Sequence, residues 1–408
     1  MTARIGLLAL LAFAMANCAA DARTLRVDPR APDDARALRF ADFAAAVAAA
    51  RPGDTIALAA GDHPGPLRIG PGSGGKAGAW LTITAERDLA ATIIGPQSSA
   101  EPALEINGAR YIEVRGLRAR HPGVGDCFSA RNAAYIRFIA NVAADCGGGG
   151  IAAIQSDHIR IDFNIAARNA FTSPWQNSGI SVYQPRAVDA APSPHIVIVN
   201  NIALLNDNRA PAPGQSFATD GNGIIVDDGR NTQNGSTAGP YRAAILVANN
   251  LSFGNGGSGV RTFLTDTVTI ERNTTYWNDR TDSPRQSERS EIAVMDCASC
   301  TVRANLAVVG PWPRDTAALF VLGDQTGTTI AGNVFADARP GRRLINAYKP
   351  SRLPQLNDNA TVLARFARAS LDTAGDFTVR GWHGPAPKTP MGADTTALPA
   401  LARLAPAP

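Results

Sequence analysis

Asp220-Gly221-Asn222-Gly223-Ile224-Ile225-Val226-Asp227-Asp228 is followed, after an insertion, by Val247-Ala248-Asn249-Asn250-Leu251-Ser252-Phe253-Gly254-Asn255. The same grammar then returns as Gly259-Val260-Arg261-Thr262-Phe263 and Val268-Thr269-Ile270-Glu271-Arg272-Asn273-Thr274-Thr275-Tyr276-Trp277-Asn278. Short β-branched runs bounded by Gly and Asn read as strands and corners, and a fixed offset between the two passes reads as stacked coils. Helices would carry Gly or Asn at every turn of such a pattern, which their propensities oppose.

Working outward, one Asn recurs after each second strand: Asn141, Asn164, Asn201, Asn250, Asn273, Asn305 and Asn333. Its shortest spacing is 23 residues, from 141 to 164 and from 250 to 273, and the longer ones are that length plus insertions. A second polar column follows five residues later at Asn169, Asn206, Asn255 and Asn278, with Cys146 at the same point of an earlier coil. Asn tolerates the left-handed conformation and can bond to the backbone or to an Asn stacked above it, so these columns are expected to be structural ladders. The fold class expected is all-β: a right-handed parallel β-helix solenoid with three strands per coil over residues 23–345. An amphipathic helix over about 40–50, with Phe40, Phe43, Ala44 and Val47 on one face, would cap its open end. Residues 346–408 are expected to form an irregular wrapping segment, with a short helix at Ala364–Ser370.

Composition agrees with a turn-rich β protein: 38 Gly, 6% aromatic and 18% charged residues. A formal charge of +4 without a basic run argues against nucleic acid. Residues 1–22 read as a secretory signal peptide, with Arg4 before an apolar run at Ile5–Ala16 that is too short to anchor in a bilayer, and Ala20-Asp21-Ala22 as the cleavage site. A secreted or periplasmic monomer without a membrane span is expected; lipidation at Cys18 is the minor alternative. Four cysteines remain after cleavage. Cys127 and Cys146 lie 19 apart, about one coil, and Cys297 and Cys300 form a local pair. Structural disulfides are expected for both, because no second CxxC or redox-type context supports zinc or thiol chemistry.

The Asn columns also set the frame of the strand that opens each coil. Phe128–Arg131, Ile151–Ile154, Ile180–Tyr183, Ile224–Asp227, Val260–Phe263 and Ile292–Met295 align, with first and third residues inward. The outer wall then carries Ser181, Tyr183, Asp227, Arg261 and Phe263 on successive coils. Insertions at 171–178, 184–194, 207–222, 228–240 and 279–290 flank this wall, so a loop-walled groove suited to a linear polymer is expected.

The coil pattern and the opening Arg51-Pro52-Gly53-Asp54-Thr55-Ile56 resemble the right-handed parallel β-helix superfamily that includes pectate-lyase-like proteins. The resemblance covers roughly residues 25–345. Asp220-Gly221-Asn222-Gly223-Ile224-Ile225 is similar to the Asp-Gly-Asn-Gly-Phe-Lys run of family 9 polysaccharide lyases, but Ile225 occupies the catalytic lysine position. The resemblance implies a secreted carbohydrate-active protein, a lyase cleaving uronate-containing polysaccharide by β-elimination. A hydrolase or a uronate epimerase on the same fold, or a non-catalytic glycan-binding protein, remains open. Arg261 is the candidate that neutralises the substrate carboxylate or abstracts the proton, since other β-helix lyases use an arginine. Tyr183 is the candidate general acid, and Arg131, Ser181, Gln184, Phe263 and Arg242 are candidates for substrate binding. Asp220, Asn222, Asp227 and Asp228 form an oxygen-rich set expected to hold calcium. The Gly-His-Gly and Arg-Ile-Lys signatures of polygalacturonase-type hydrolases do not occur, nor does the Asp-Pro-His-Asp signature of mannuronan epimerases. His158 and His195 each start a second strand and are expected to stack at a corner away from the groove.

Overall fold

A computed structural model describes residues 22–281, 290–312, 315–348, 354–363, 365–368, 376–380, 392–394, 398–399 and 403. Most of the segment expected to be a signal peptide, and most of the 279–290 insertion, lie outside the described residues. Short β-branched segments at coil spacing can satisfy their backbone groups only by pairing with the equivalent segment of the next coil. They do so in three parallel sheets of thirteen, eleven and ten strands, a parallel β-helix with three strands per coil. In the ten-stranded sheet Phe128, Ile151, Ile180, Ile224, Val260 and Ile292 pair in direct register, as the alignment of coils predicts. These residues are fully buried in the central core. No helix among the described residues is long and apolar enough to cross a membrane.

The cap is shorter than its apolar pattern suggests. Arg39–Phe40 is a strand paired parallel to Thr24–Val27, and the helix α1 runs only over Phe43–Ala49. Asp42 stops it from starting earlier: in extended conformation, it accepts the backbone N–H of Ala45 at 3.2 Å as an N-cap. Phe43 and Ala46 face the core, while Ala44 is exposed.

Both Asn columns are continuous ladders. From Asn141 to Asn333, each backbone N–H and each amide Nδ2 donates to the Oδ1 of the next Asn, at 2.9–3.1 Å. The column then runs on to Asn359, and strands Ile345–Tyr348, Gln355–Asn357 and Ala360–Leu363 extend the coils beyond residue 345. Arg365–Arg368 is a strand antiparallel to Asp376–Arg380, where a helix was expected. Cys146 starts the second ladder by donating its N–H to Asn169 Oδ1 at 3.0 Å. Cys127 is disulfide-bonded to Cys146, and Cys297 to Cys300.

The second ladder ends on a charge-capable group. Asn278 donates its N–H to Glu291 Oε1 at 3.0 Å and its amide to Oε2 at 2.6 Å. Glu291 is fully buried, and burial pushes its carboxyl up to about 8 against the pull of these two donors. A carboxyl raised in the folded state holds its proton more tightly there than in the unfolded chain. Its stabilising contribution is therefore complete below its ordinary value and is lost as pH rises to about 8. Thermal unfolding followed from about pH 5 to about pH 9 should show a falling midpoint, and E291Q, which cannot ionise, should flatten part of that fall. An unchanged slope in E291Q would remove Glu291 from the account.

The central strands of the eleven-stranded sheet are buried on both faces. Small residues such as Ala143, Ala166 and Ala203 point inward, while Ile165, Ile202, Leu251, Phe253 and Tyr276 build a second buried cluster outside the helix. The C-terminal segment reaches this face: Leu398 packs on the cluster, and Ala393 N–H donates to Thr274 Oγ1 at 2.8 Å. Further back along the sheet Arg403 meets Asp88 and the carbonyl of Ala140.

Candidate active site

The outer face of the ten-stranded sheet holds a groove of about 580 Å³. Register places Arg131, Ile154, Tyr183, Asp227 and Phe263 in one outward column, with Ser181, Ile225 and Arg261 in the column beside it. The floor of the groove runs from Arg131 through Gln155, Ser181, Tyr183 and Gln184 to Ile225 and Asp227. One wall is the 171–178 insertion, with Ser173, Trp175, Gln176 and Asn177. The other is the 228–240 insertion, with Gln233 and Asn234. Both walls were expected from where the insertions fall.

Asp227 is the most perturbed acid of the groove. Burial, reinforced by the charge of Asp220, pushes its carboxyl up to about 7, although Arg261 and a bond from Gln233 favour the charged form. Gln233 Nε2 donates to Asp227 Oδ1 at 2.9 Å. Tyr183, one strand before, is buried enough that its phenol is pushed up, and its oxygen accepts Asn234 Nδ2 at 2.7 Å. Arg261 lies one strand after Asp227, diagonally across the register, outside the lining of this groove but near enough to act on the Asp227 charge, with its guanidinium 5.7 Å from the Phe263 ring. Phe263 packs against Met295 and Phe320 rather than lining the groove.

Two members of the oxygen-rich set expected to hold calcium, Asp228 and Asn222, are already engaged by other partners. Strand alternation ends at Asp227, and Asp228 turns the corner in the left-handed region, φ 47°. Gln155 and Gln184 occupy the same corner of the two preceding coils with φ 51° and 49°. Gln155 donates to Gln184 Oε1 at 3.1 Å and Gln184 to Asp228 Oδ2 at 2.9 Å, so Asp228 ends a third side-chain ladder. It also accepts the N–H groups of Thr232 and Gln233 at 2.8 Å and the Thr232 hydroxyl at 3.0 Å. Asn222 is buried between Ser178 and the Ser258 N–H, and its amide donates to Asp220 Oδ1. With Asp228 and Asn222 engaged in this way, the residues present do not fit a calcium cage, and no chemistry is routed through one. Arg242 is exposed and does not line the groove; it follows Tyr241, which is held at another corner.

Asp126 is a groove acid the sequence did not reveal. Burial pushes its carboxyl up to about 6, with Arg131 and the Gly149 N–H opposing. It accepts Gly149 N–H at 2.6 Å and Asn177 Nδ2 at 3.2 Å. Asp126 precedes its strand, where no alternation applies, and only coil closure brings it beside Arg131. Gln155 carried a readable signal, its offset from Gln184 in the same coil frame.

The histidine corner lies where Asp157 meets the 184–194 insertion. Tyr111, Tyr135, His158 and His195 stack with ring centroids 4.0–4.5 Å apart. Asp157, fully buried, accepts the Tyr241 hydroxyl at 2.6 Å, the Val188 N–H at 2.7 Å and His195 Nδ1 at 3.0 Å. Asp189 accepts the Tyr135 hydroxyl at 2.6 Å and meets His158 Nε2 at 2.9 Å. Chiefly through the tyrosine bond, its carboxyl is held well below the usual range. Ligand atoms of Asp157, His158 and His195 lie within 4.8 Å of one another. An imidazole binds a metal in its own plane, and two rings stacked at 24° cannot both aim a lone pair at one ion. The corner is therefore a hydrogen-bonded anchor for the insertion that follows Gln184.

No protein-family model and no curated protein matches the sequence. Among solved structures the chain is similar to pectate lyase Pel9A, at 14% identity over 83% of this chain and 78% of that one, TM-score 0.44. It is also similar to an alginate lyase from Paenibacillus sp. str. FPU-7, at 14% identity over 83% and 99%, TM-score 0.44. The A-module of the Azotobacter vinelandii mannuronan C-5 epimerase AlgE6 matches at 14% identity over 79% and 93%, TM-score 0.43.

Proposed function

We propose that the groove binds an acidic, uronate-containing polysaccharide and cleaves it by β-elimination. The observation that carries this reading is Asp227. Its carboxyl stands in the groove at about 7, between the Tyr183 phenol on the preceding strand and the Arg261 guanidinium on the next. Elimination needs a cation on the uronate carboxylate, a base for the C5 proton and an acid for the departing oxygen. Arg261 pairs with the carboxylate and lowers the cost of charge developing on it. Asp227, tuned near neutrality, takes the C5 proton. Tyr183, kept protonated by its raised value, donates to O4 as the C4–O4 bond breaks and the C4–C5 double bond forms. This gives Arg261 the neutralising role rather than that of base, which suits a group that stays protonated.

The test is ultraviolet absorbance of the unsaturated product on pectate, alginate and glycosaminoglycans, with and without EDTA. Absorbance that rises on at least one uronate polymer and persists in EDTA is the expected result. New reducing ends without the chromophore would replace elimination by hydrolysis, and binding without any product would leave a glycan-binding protein.

A further inference from the structure

Trp175 is 65% exposed, the most exposed large apolar side chain among the described residues. It nevertheless stands on a loop fixed from several sides. Thr172 Oγ1 donates to the Gly123 carbonyl at 3.0 Å, and the Ser173 N–H to that of Gly147 at 2.9 Å. Beyond the tryptophan, Asn177 Nδ2 donates to Asp126 Oδ1 at 3.2 Å, and the Asn177 carbonyl accepts the Gly221 N–H at 3.0 Å. Gln176 bonds the hydroxyl of Thr219. The indole is thus offered to the groove by a loop tied to the coils on both sides of it, with little ordering left to occur on binding.

We propose that Trp175 is the stacking platform for one sugar ring of the bound polymer, next to the reacting one; this rests on the glycan reading above. The loop leads directly into strand Ile180–Tyr183, and Trp175 lines the same groove as Ser181 and Tyr183, with Tyr183 paired to Asp227 across one strand spacing of about 4.8 Å. A pyranose presents a flat C–H face and a polar hydroxyl edge. Trp175 meets the first, while Gln155 and Asn177 at the groove surface meet the second. A uronate keeps the same C–H face and carries its charge on the edge, so the platform grips the ring and leaves charge recognition to the arginines. Because it holds a ring that does not react, it binds ground state and transition state alike.

Calorimetric and tryptophan-fluorescence titrations with oligogalacturonates and oligomannuronates, with cello-oligosaccharides as the neutral control, test this alongside steady-state kinetics. W175A should weaken binding and raise KM on the order of tenfold while kcat stays within about twofold, and W175F should recover most of the loss. Thermal unfolding should be unchanged in both, since the indole is exposed. W175A binding as tightly as the unsubstituted protein would overturn the proposal, as would a fall in kcat with KM unmoved. If the unsubstituted protein binds none of the oligosaccharides, the glycan reading fails and takes the platform with it. If it binds but releases no unsaturated product, elimination alone fails, and the W175A affinity still decides the platform.

Discussion

Asp227→Asn is expected to lower turnover on the uronate polymer by about 10²–10⁴-fold and to leave the fold intact, whereas Asp228→Asn is expected to loosen the groove wall. Adjacent residues with the same side chain thus give opposite phenotypes. Asp227 is held in a costly state: burial raises its carboxyl to about 7, well above its value in an unfolded chain. The folded protein binds that proton more tightly, so stability falls as pH rises from the ordinary carboxylate range to about 7. An amide at 227 removes this penalty, and D227N should unfold at a higher temperature than the unsubstituted protein at about pH 8. Activity should rise with pH through the same window, as the base loses its proton, and that limb should vanish in D227N. Asp228 is bonded differently. Four donors converge on its two oxygens. Its neutral amide would set an N–H against some of them, at about 2–4 kcal/mol. Retention of more than about a tenth of the activity in D227N would remove Asp227 as base.

Asn201→Ala is expected to destabilise the coils severely, at about 3–5 kcal/mol. Asn201 accepts the N–H and amide of Asn164 at 2.9 and 3.0 Å and donates to the carbonyls of Ile161 and Val199 and to Asn250 Oδ1. Alanine leaves the Asn164 N–H and two carbonyl groups in a dry interior without that partner, and each such loss costs about 1–3 kcal/mol. N201D should be nearly as harmful, because a carboxylate keeps the acceptor but faces two carbonyl oxygens with no donor. The preceding Asn200 is the control. It sits half-buried at a left-handed corner, φ 57°, and among the described residues its side chain bonds to those of Asp162 and Asn249 and to no ladder member. N200A should cost about 1 kcal/mol, mostly backbone strain. Denaturant or thermal unfolding of the pair settles it, and equal costs would mean the ladder adds nothing beyond corner geometry.

Which parts of this could be read in advance follows from which signals are periodic. The Asn spacing fixes the coil, and the period of two fixes the face, so Ser181, Tyr183, Asp227 and Arg261 could be placed on one wall from residue order alone. Asp228 could not. Alternation predicts the opposite face for it but not that the chain turns left-handed there and joins the ladder of Gln155 and Gln184. The same blind spot hides the start of α1, where Asp42 caps a helix whose apolar pattern continues back to Phe40. Asn359 was missed because an insertion rich in Pro and Arg separates it from Asn333. Asp126 and Trp175 stand outside any strand, and their place in the groove depends on loop closure.

The amino-acid order by itself determined the solenoid, its ladders and the wall that bears the groove. All of these arise from interactions between equivalent positions of neighbouring coils, and equivalence is visible as spacing. Tertiary structure alone decided which side chains on that wall are chemically poised. Burial, the charges of Asp220 and Arg261 and the bond from Gln233 meet at Asp227 only when distant loops fold over the sheet. Those forces act through space over a few ångströms, and no repeat in the chain records them.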